Sequence, residues 1–313
     1  MRCSIRAFAM TDLRSGTSGA VLAASLAARP EVGGEGYWQI AWRRFKKHRV
    51  AIVGASVILL FVATAVFAPF LTRYEFDQID LYRRKAAPSF NHPLGTDELG
   101  HDVFTRLLYA GRISLTVGFT AAFTAAILGT LVGGVSGFYG RWLDNVLMRV
   151  TDVMFSIPAL PVLIVLARYM GGSVLGIVLV LSVFAWMGTA RLVRGDMLRL
   201  RTQDFTDAAR ALGASDSRIL FRHLVPNALA PVLVAGTLTV GGAILSEAGL
   251  SFLGIGIQPP TPSWGNMLQN AQDFIWTTPW LAVWPGAMIF LTVLSINFLG
   301  DGLRDALDPR LKV

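Results

Sequence analysis

The residues of this chain best spaced for a specific task lie in 191–227, RLVRGDMLRLRTQDFTDAARALGASDSRILFRHLVPN, a polar island that carries seven of the 28 Lys and Arg residues. Asp207, Ala208 and Ala209 precede Gly213 by a short turn, and ten residues after that glycine come His223, Leu224, Val225 and Pro226. This spacing predicts two short helices broken at Gly213. The alanines strip bulk from the first helix so that another protein can approach its backbone, and the glycine accepts the angles of a sharp reversal. Such chemistry docks a partner and makes no bonds. Taken alone, the segment also fits an ordinary surface helix-turn-helix whose alanines serve helix propensity.

Groups for acid–base or nucleophilic work are scarce elsewhere. His48, His92, His101 and His223 all fall outside the long apolar runs, and Asp152 and Glu247 sit near helix ends, so the spans gather no reactive pocket. An ion-coupled carrier keeps carboxylates or histidines at membrane depth, because only coupling justifies burying them. His92, Asp97, Glu98, His101 and Asp102 have the chemistry of metal ligands, but helix capping and surface charge account for the same residues, and no metal site is expected. Cys3 is the single cysteine, which excludes a disulfide framework or thiolate metal site within one chain. No G-x-x-x-x-G-K-[ST] loop is present, so ATP-driven work has to be supplied by another chain. The chain is expected to bind no cofactor of its own and not to be an enzyme.

The elements that position the polar island are apolar. Of the 313 residues, 53% are hydrophobic and only 15% charged, a membrane composition. Runs without charge cover 50–70, 113–138, 169–190, 227–246 and 274–300, and stretches of about 20 residues or longer cross a hydrocarbon core of roughly 30 Å. A sixth run, 153–167, is shorter and holds Pro158 and Pro161; it spans only if neighbours shield it. The expected fold is therefore all-α, with six transmembrane helices. Segments 1–49, 139–152, 191–228 and 301–313 carry 21 of the 28 cations, which places them, both termini included, in the cytoplasm. The formal charge of +8 follows this topology and reads as contact with anionic headgroups rather than with nucleic acid.

Residues 1–36 read as a disordered cytoplasmic leader, and 37–49, where Trp38, Trp42 and Phe45 recur among cations, as an interfacial helix. The segment 71–112 between the first two spans is too long for a simple connection and is expected on the outer face. Within it, Thr96 predicts a helix starting at Asp97 and Glu98. The core membrane domain is 113–300, with the 191–228 loop inside it, and 301–313 forms a cytoplasmic tail. Glycines 118, 129, 133, 134 and 137 in the second span, and 236, 241, 242 and 249 in the fifth, predict close helix contacts. Gln258 to Trp264 cannot be a helix interior, since its prolines remove donors, and a short helix is expected from about 265 to 273. With Pro259, Pro260, Pro262 and Trp264, this loop either contacts a substrate-binding protein or forms an interfacial plug anchored by Trp264, Trp276, Trp280 and Trp284.

D-A-A, three residues, G, nine residues, then H-L-V-P resembles the loop by which membrane subunits of bacterial ABC importers engage their ATPases. HPLGTDELGHDVFTRLLYAGRISL at 92–115 and GLSFLGIGIQPPTPSWGNMLQNAQ at 249–272 resemble the peptide/nickel branch, in its second-permease type. The resemblance covers nearly everything after the leader and implies the type I importer permease architecture in the bacterial inner membrane. It implies a heterodimer with a second permease, two ATPase subunits that hold ATP and Mg²⁺, and an extracytoplasmic substrate-binding protein. Asp207, Ala208, Ala209, Gly213, His223 and Pro226 would form the ATPase-coupling loop, and Asn227, Thr237, Thr239, Ser246 and Glu247 the polar lining of the path. The cargo implied is dipeptides or oligopeptides, with nickel or another small solute as the alternative.

Overall fold

The computed structural model describes residues 37–307. The leader assigned to 1–36 and the end of the tail, 308–313, lie outside the described residues. The described residues are helical apart from loops and one isolated bridge between Thr96 and Asp102. Helix α1, Tyr37–Phe45, leads through a tight turn into α2, Arg49–Val66, and a single further turn, α3, Ala68–Leu71. His48 caps α2, its Nδ1 accepting from the Ala51 N–H at 3.1 Å. On α1, Trp42 stacks on Phe45 at 5.9 Å, and the Lys46 ammonium lies 5.2 Å from the Trp42 ring, a combination suited to a headgroup layer.

The second long helix, α4, runs over Val103–Tyr139, ten residues ahead of the uncharged stretch that marks it in the sequence. It does not start at Asp97 and Glu98 under a Thr96 cap. Asp102 is the cap, its carboxylate accepting from the Thr105 N–H at 2.8 Å, while Thr96 and Asp97 bond within the preceding loop. The helix tolerates Arg106 and Arg112 because both are satisfied. Arg106 meets Asp97 and His101, and Arg112 reaches the carbonyls of Ala65 and Val66 that end α2. The irregular segment between the first two spans is thus 72–102, shorter than the 71–112 read from charge.

Helices α5, Arg141–Ser156, and α6, Ala159–Tyr169, meet at 86°. Ile157 is extended there, as a residue before proline tends to be. Then come α7, Val174–Leu200; α8, Asp204–Ala211; α9, Asp216–Phe252; α10, Trp264–Ala271; and α11, Trp280–Leu307. Among the described residues, five helices are long and apolar enough to cross a membrane, and the bent α5–α6 pair makes a sixth if it counts as one crossing. The proline-containing run is the one that departs from a straight span.

Helix α4 lies along α7 and α9, and α11 packs between α9 and α2. The α4–α7 seam is close because glycines face backbone. A Cβ at Gly137 would stand 2.7 Å from the Arg194 carbonyl oxygen, and one at Gly133 would collide with that of Ala190. The fifth span behaves differently: among the described residues, a Cβ at Gly236, Gly242 or Gly249 would meet nothing within 4 Å. One apolar cluster, with Leu107, Ile244, Trp264 and Ile289, fills the end near 72–102; another, with Phe138, Met197, Leu220 and Leu224, fills the end near α8. The flanks expose Leu59, Phe70, Phe123 and Phe290, an apolar surface suited to lipid.

Candidate functional site

Helix α8 begins with Asp204 and Asp207 in its first turn, where carboxylates suit the positive helix end. Thr206 is fully buried, and its hydroxyl donates to the Leu200 carbonyl at 2.9 Å, tying α8 to the end of α7. The chain reverses at Gly213, whose φ of 78° is a left-handed conformation that side chains resist. Gly213 N–H donates to Arg210 at 2.9 Å and Ala214 N–H to Ala209 at 3.0 Å, the paired bonds of a Schellman ending. Beyond the reversal no separate short helix forms. Asp216 opens the 37-residue α9, whose residues Ile219–Leu224 adopt π-helical turns before Val225. Ile219, Leu220 and Leu224 are buried there, and the wider turn brings residues five apart toward one face.

Of the docking candidates, Asp207, Ala208, Gly213 and Pro226 are exposed, while Ala209 and His223 are half-buried. Ala209 rests on the apolar cluster beneath the loop. The sequence reading missed the side chains flanking Ala208. Phe205 is 38% exposed and Leu212 is 89% exposed, so positions 205, 208 and 212 form an apolar stripe on the outward face of α8. Their helical spacing in a polar island was the available signal. Three arginines of that island bond to neighbouring helices instead, the Arg191 pair remaining exposed. Arg194 grips Asp144 with two bonds of 2.6 and 2.7 Å, Arg201 donates to the last carbonyls of α4, and Arg191 meets Asp152 at 2.7 Å. Helices α4, α5 and α7 are thereby clamped where α7 hands over to α8.

The candidate lining residues separate. Thr239 and Ser246 are half-buried and lie with Gly242 and Gly249 on one face of α9, open to the outside of this chain. Asn227 is exposed at the foot of α9 and donates to the His223 carbonyl at 2.6 Å. Thr237 instead faces Gly300 of α11, inside the bundle. Glu247 is 0% exposed and hydrogen-bonded to Ser114 and Ser251, so it lines no open path in this structure. The proline loop also divides. Pro259 and Pro260 are exposed, but Pro262 and Trp264 are buried, and the Trp264 indole donates to the Leu107 carbonyl at 3.1 Å. Trp264 faces neither a partner nor a membrane surface, because α4 and α10 close over it; Trp276 remains exposed.

In the 72–102 loop, the acid and histidine residues work as caps and buried pairs. His92 meets Asp102 at 3.0 Å and His101 meets Asp97 at 2.7 Å; among the described residues, no group of three or more His, Cys, Asp or Glu is placed to hold a metal ion. Burial pushes the Asp97 carboxyl up, but the His101 hydrogen bond and the Arg106 guanidinium outweigh it and hold the group below the usual carboxylate range. Burial and the neighbouring Asp97 charge push Glu98 above it. The two have opposite linkage: Asp97 stabilises at neutral pH and loses that contribution as pH falls through its lowered folded value, whereas Glu98 gains stability as pH falls through its raised one. Hydrogen-exchange protection factors for 92–102 are therefore expected to rise as mild acid protonates Glu98 and to fall once Asp97 is protonated. Asp97→Asn should remove the acid fall; an unchanged acid limb in that variant would discard the account.

Residues 104–313 match the family model described as "Binding-protein-dependent transport system inner membrane component", and residues 36–88 match "N-terminal TM domain of oligopeptide transport permease C". The chain is 42% identical to the dipeptide transport system permease protein DppC of Alkalihalophilus pseudofirmus, over 88% of this chain and 90% of that one. It is 41% identical to the glutathione transport system permease protein GsiD of Pectobacterium atrosepticum, over 88% and 92%. The oligopeptide transport system permease protein OppC of Bacillus subtilis is 39% identical, over 88% and 90%. Among solved structures, an inward-facing conformation of the MetNI methionine ABC transporter shares the fold, with a TM-score of 0.54 at 22% identity, over 65% of this chain and 96% of that chain.

Proposed function

This chain belongs to the family of binding-protein-dependent transport system inner membrane components, and from that premise we propose that it is the permease subunit of an ATP-driven peptide importer, forming half of the translocation path. Its relatives are named for dipeptide, oligopeptide and glutathione transport, and glutathione is itself a small peptide, so one cargo chemistry runs through them. The chain performs no chemistry of its own. A related permease pairs with it, two ATPase subunits sit beneath the α8 elbow, and a substrate-binding protein delivers cargo to the opposite end. On this reading both termini and α8 are cytoplasmic and 72–102 is the outer-face insertion, in agreement with the distribution of Lys and Arg.

The observation that carries the proposal is the elbow: an exposed Phe205–Ala208–Leu212 stripe, turned back sharply at Gly213 and clamped through Arg194 and Arg201 to the spans. A partner gripping that stripe moves helices rather than a loose loop. ATPase closure would tilt α7 and α9 between inward- and outward-open packings, and cargo is coupled to nucleotide because both bias the same two states. The open face of α9 that bears Thr239, Gly242, Ser246 and Gly249 is the surface offered to the second permease and the path. The exposed Pro259 and Pro260 are offered to the binding protein. In proteoliposomes, uptake of labelled dipeptide is expected only when this chain is reconstituted with its partner permease, the ATPases, the binding protein and internal ATP. Uptake by the chain alone under an imposed ion gradient would overturn the proposal.

A further inference from the structure

Glu247 is a fully buried carboxylic acid for which the transport reading supplies no task. It stands in the last turns of α9 and accepts from two serine hydroxyls drawn from two helices. Ser114 of α4 donates to Oε2 at 3.0 Å, and Ser251 one turn further along α9 donates to Oε1 at 2.7 Å. Neither hydroxyl ends there. Ser114 Oγ accepts the Trp264 backbone N–H at 3.3 Å, and Ser251 Oγ accepts that of Ile257 at 3.1 Å.

With Glu247 ionised, the direction of these chains is set. A serine hydroxyl has one hydrogen to give, and the backbone N–H already takes its lone pair. Each hydroxyl then points its hydrogen at a Glu247 oxygen. A carboxylate is the side chain that accepts at both oxygens at once, and truncating it would leave two buried hydroxyls and two buried amides poorly paired.

We propose that Glu247 is the positioning residue that fastens the 253–264 segment to α4 and α9 together, so that this segment travels with both helices when the transporter alternates. The inference rests on the importer reading for its functional half, whereas the fastening stands on geometry alone. Gln at this position keeps the volume but turns one acceptor into a donor, which breaks one of the two chains; Leu breaks both.

The test uses the purified complex of both permeases and both ATPases, with the binding protein added. In Glu247→Leu, hydrogen exchange at the Ile257 and Trp264 amides is expected to rise about tenfold or more, and in Glu247→Gln at one of them. Ser114→Ala should loosen Trp264 alone and Ser251→Ala Ile257 alone. The ratio of peptide-stimulated to basal ATP hydrolysis, which simple loss of assembled complex would not move, should fall in the order wild type, Gln, Leu. Unchanged exchange in the Leu and Ser variants, loosening spread evenly along the chain, or a normal stimulation ratio in Glu247→Leu would each overturn the proposal. A wild-type complex that never imports peptide yet shows the expected exchange pattern would refute the importer reading and leave the fastening intact.

Discussion

With Arg in place of Ala208, peptide-stimulated ATP hydrolysis by the reconstituted complex is expected to fall at least about tenfold, a loss equal to about 1.4 kcal/mol of coupling. The fold should not notice. Ala208 is exposed, so the new side chain extends from α8 without displacing anything, and such surface changes typically stay within about 0.5 kcal/mol. The docking stripe should notice strongly, because a guanidinium set between Phe205 and Leu212 would be buried without a counter-charge once a partner closes over it. Gly213→Ala is the milder companion. No atom lies within 4 Å of the new Cβ, so its cost is the left-handed backbone alone, about 1–2 kcal/mol. Membrane insertion measured by protease protection should match wild type in both variants. Normal stimulation in Ala208→Arg would remove the elbow from the coupling path.

The largest loss of stability is expected from Trp264→Ala. The indole is 0% exposed, lies over Gly111, where a Cβ would stand 3.2 Å from its Cζ2, and donates to the Leu107 carbonyl. Emptying such a site costs about 3–5 kcal/mol, because neighbours relax only partly into the cavity. Leu107 lies in the first turns of α4, so the damage begins where that helix meets α10. The purified complex should melt at a clearly lower temperature. Trp264→Phe keeps most of the ring and loses the N–H, and should recover a large part of the difference. A melting temperature for Trp264→Ala equal to wild type would show that this side chain is not an anchor.

The apolar helices were legible because charge is costly in hydrocarbon, and their absence over 20 residues is hard to imitate. Their ends were less so. Helix α4 begins at Val103 rather than near 113 because Arg106 and Arg112 find partners in the 72–102 loop and on α2, pairings that no local pattern announces. Gly213 was readable, since its left-handed φ belongs to glycine. Phe205 and Leu212 were passed over because apolar residues in a loop look like buried ones until exposure is known. The burial of Glu247 and Trp264 depends on α4 residues 133 and 157 positions away along the chain, beyond the reach of any window on the sequence.

The π-helical stretch at Ile219–Leu224 has a consequence for how far this fold tolerates change in length. Each wide turn holds a surplus residue relative to α-helical winding, so deleting one position there would restore ordinary winding and keep the flanking faces in place, whereas a deletion in the α-helical turns beside it would swing everything upstream by about 100° around the axis of α9. The azimuth at which the ATPase-facing surface meets its neighbour is thus encoded as a residue count. A single-codon deletion in this stretch can be absorbed, whereas one in the α-helical turns that follow it would aim an intact docking surface in the wrong direction.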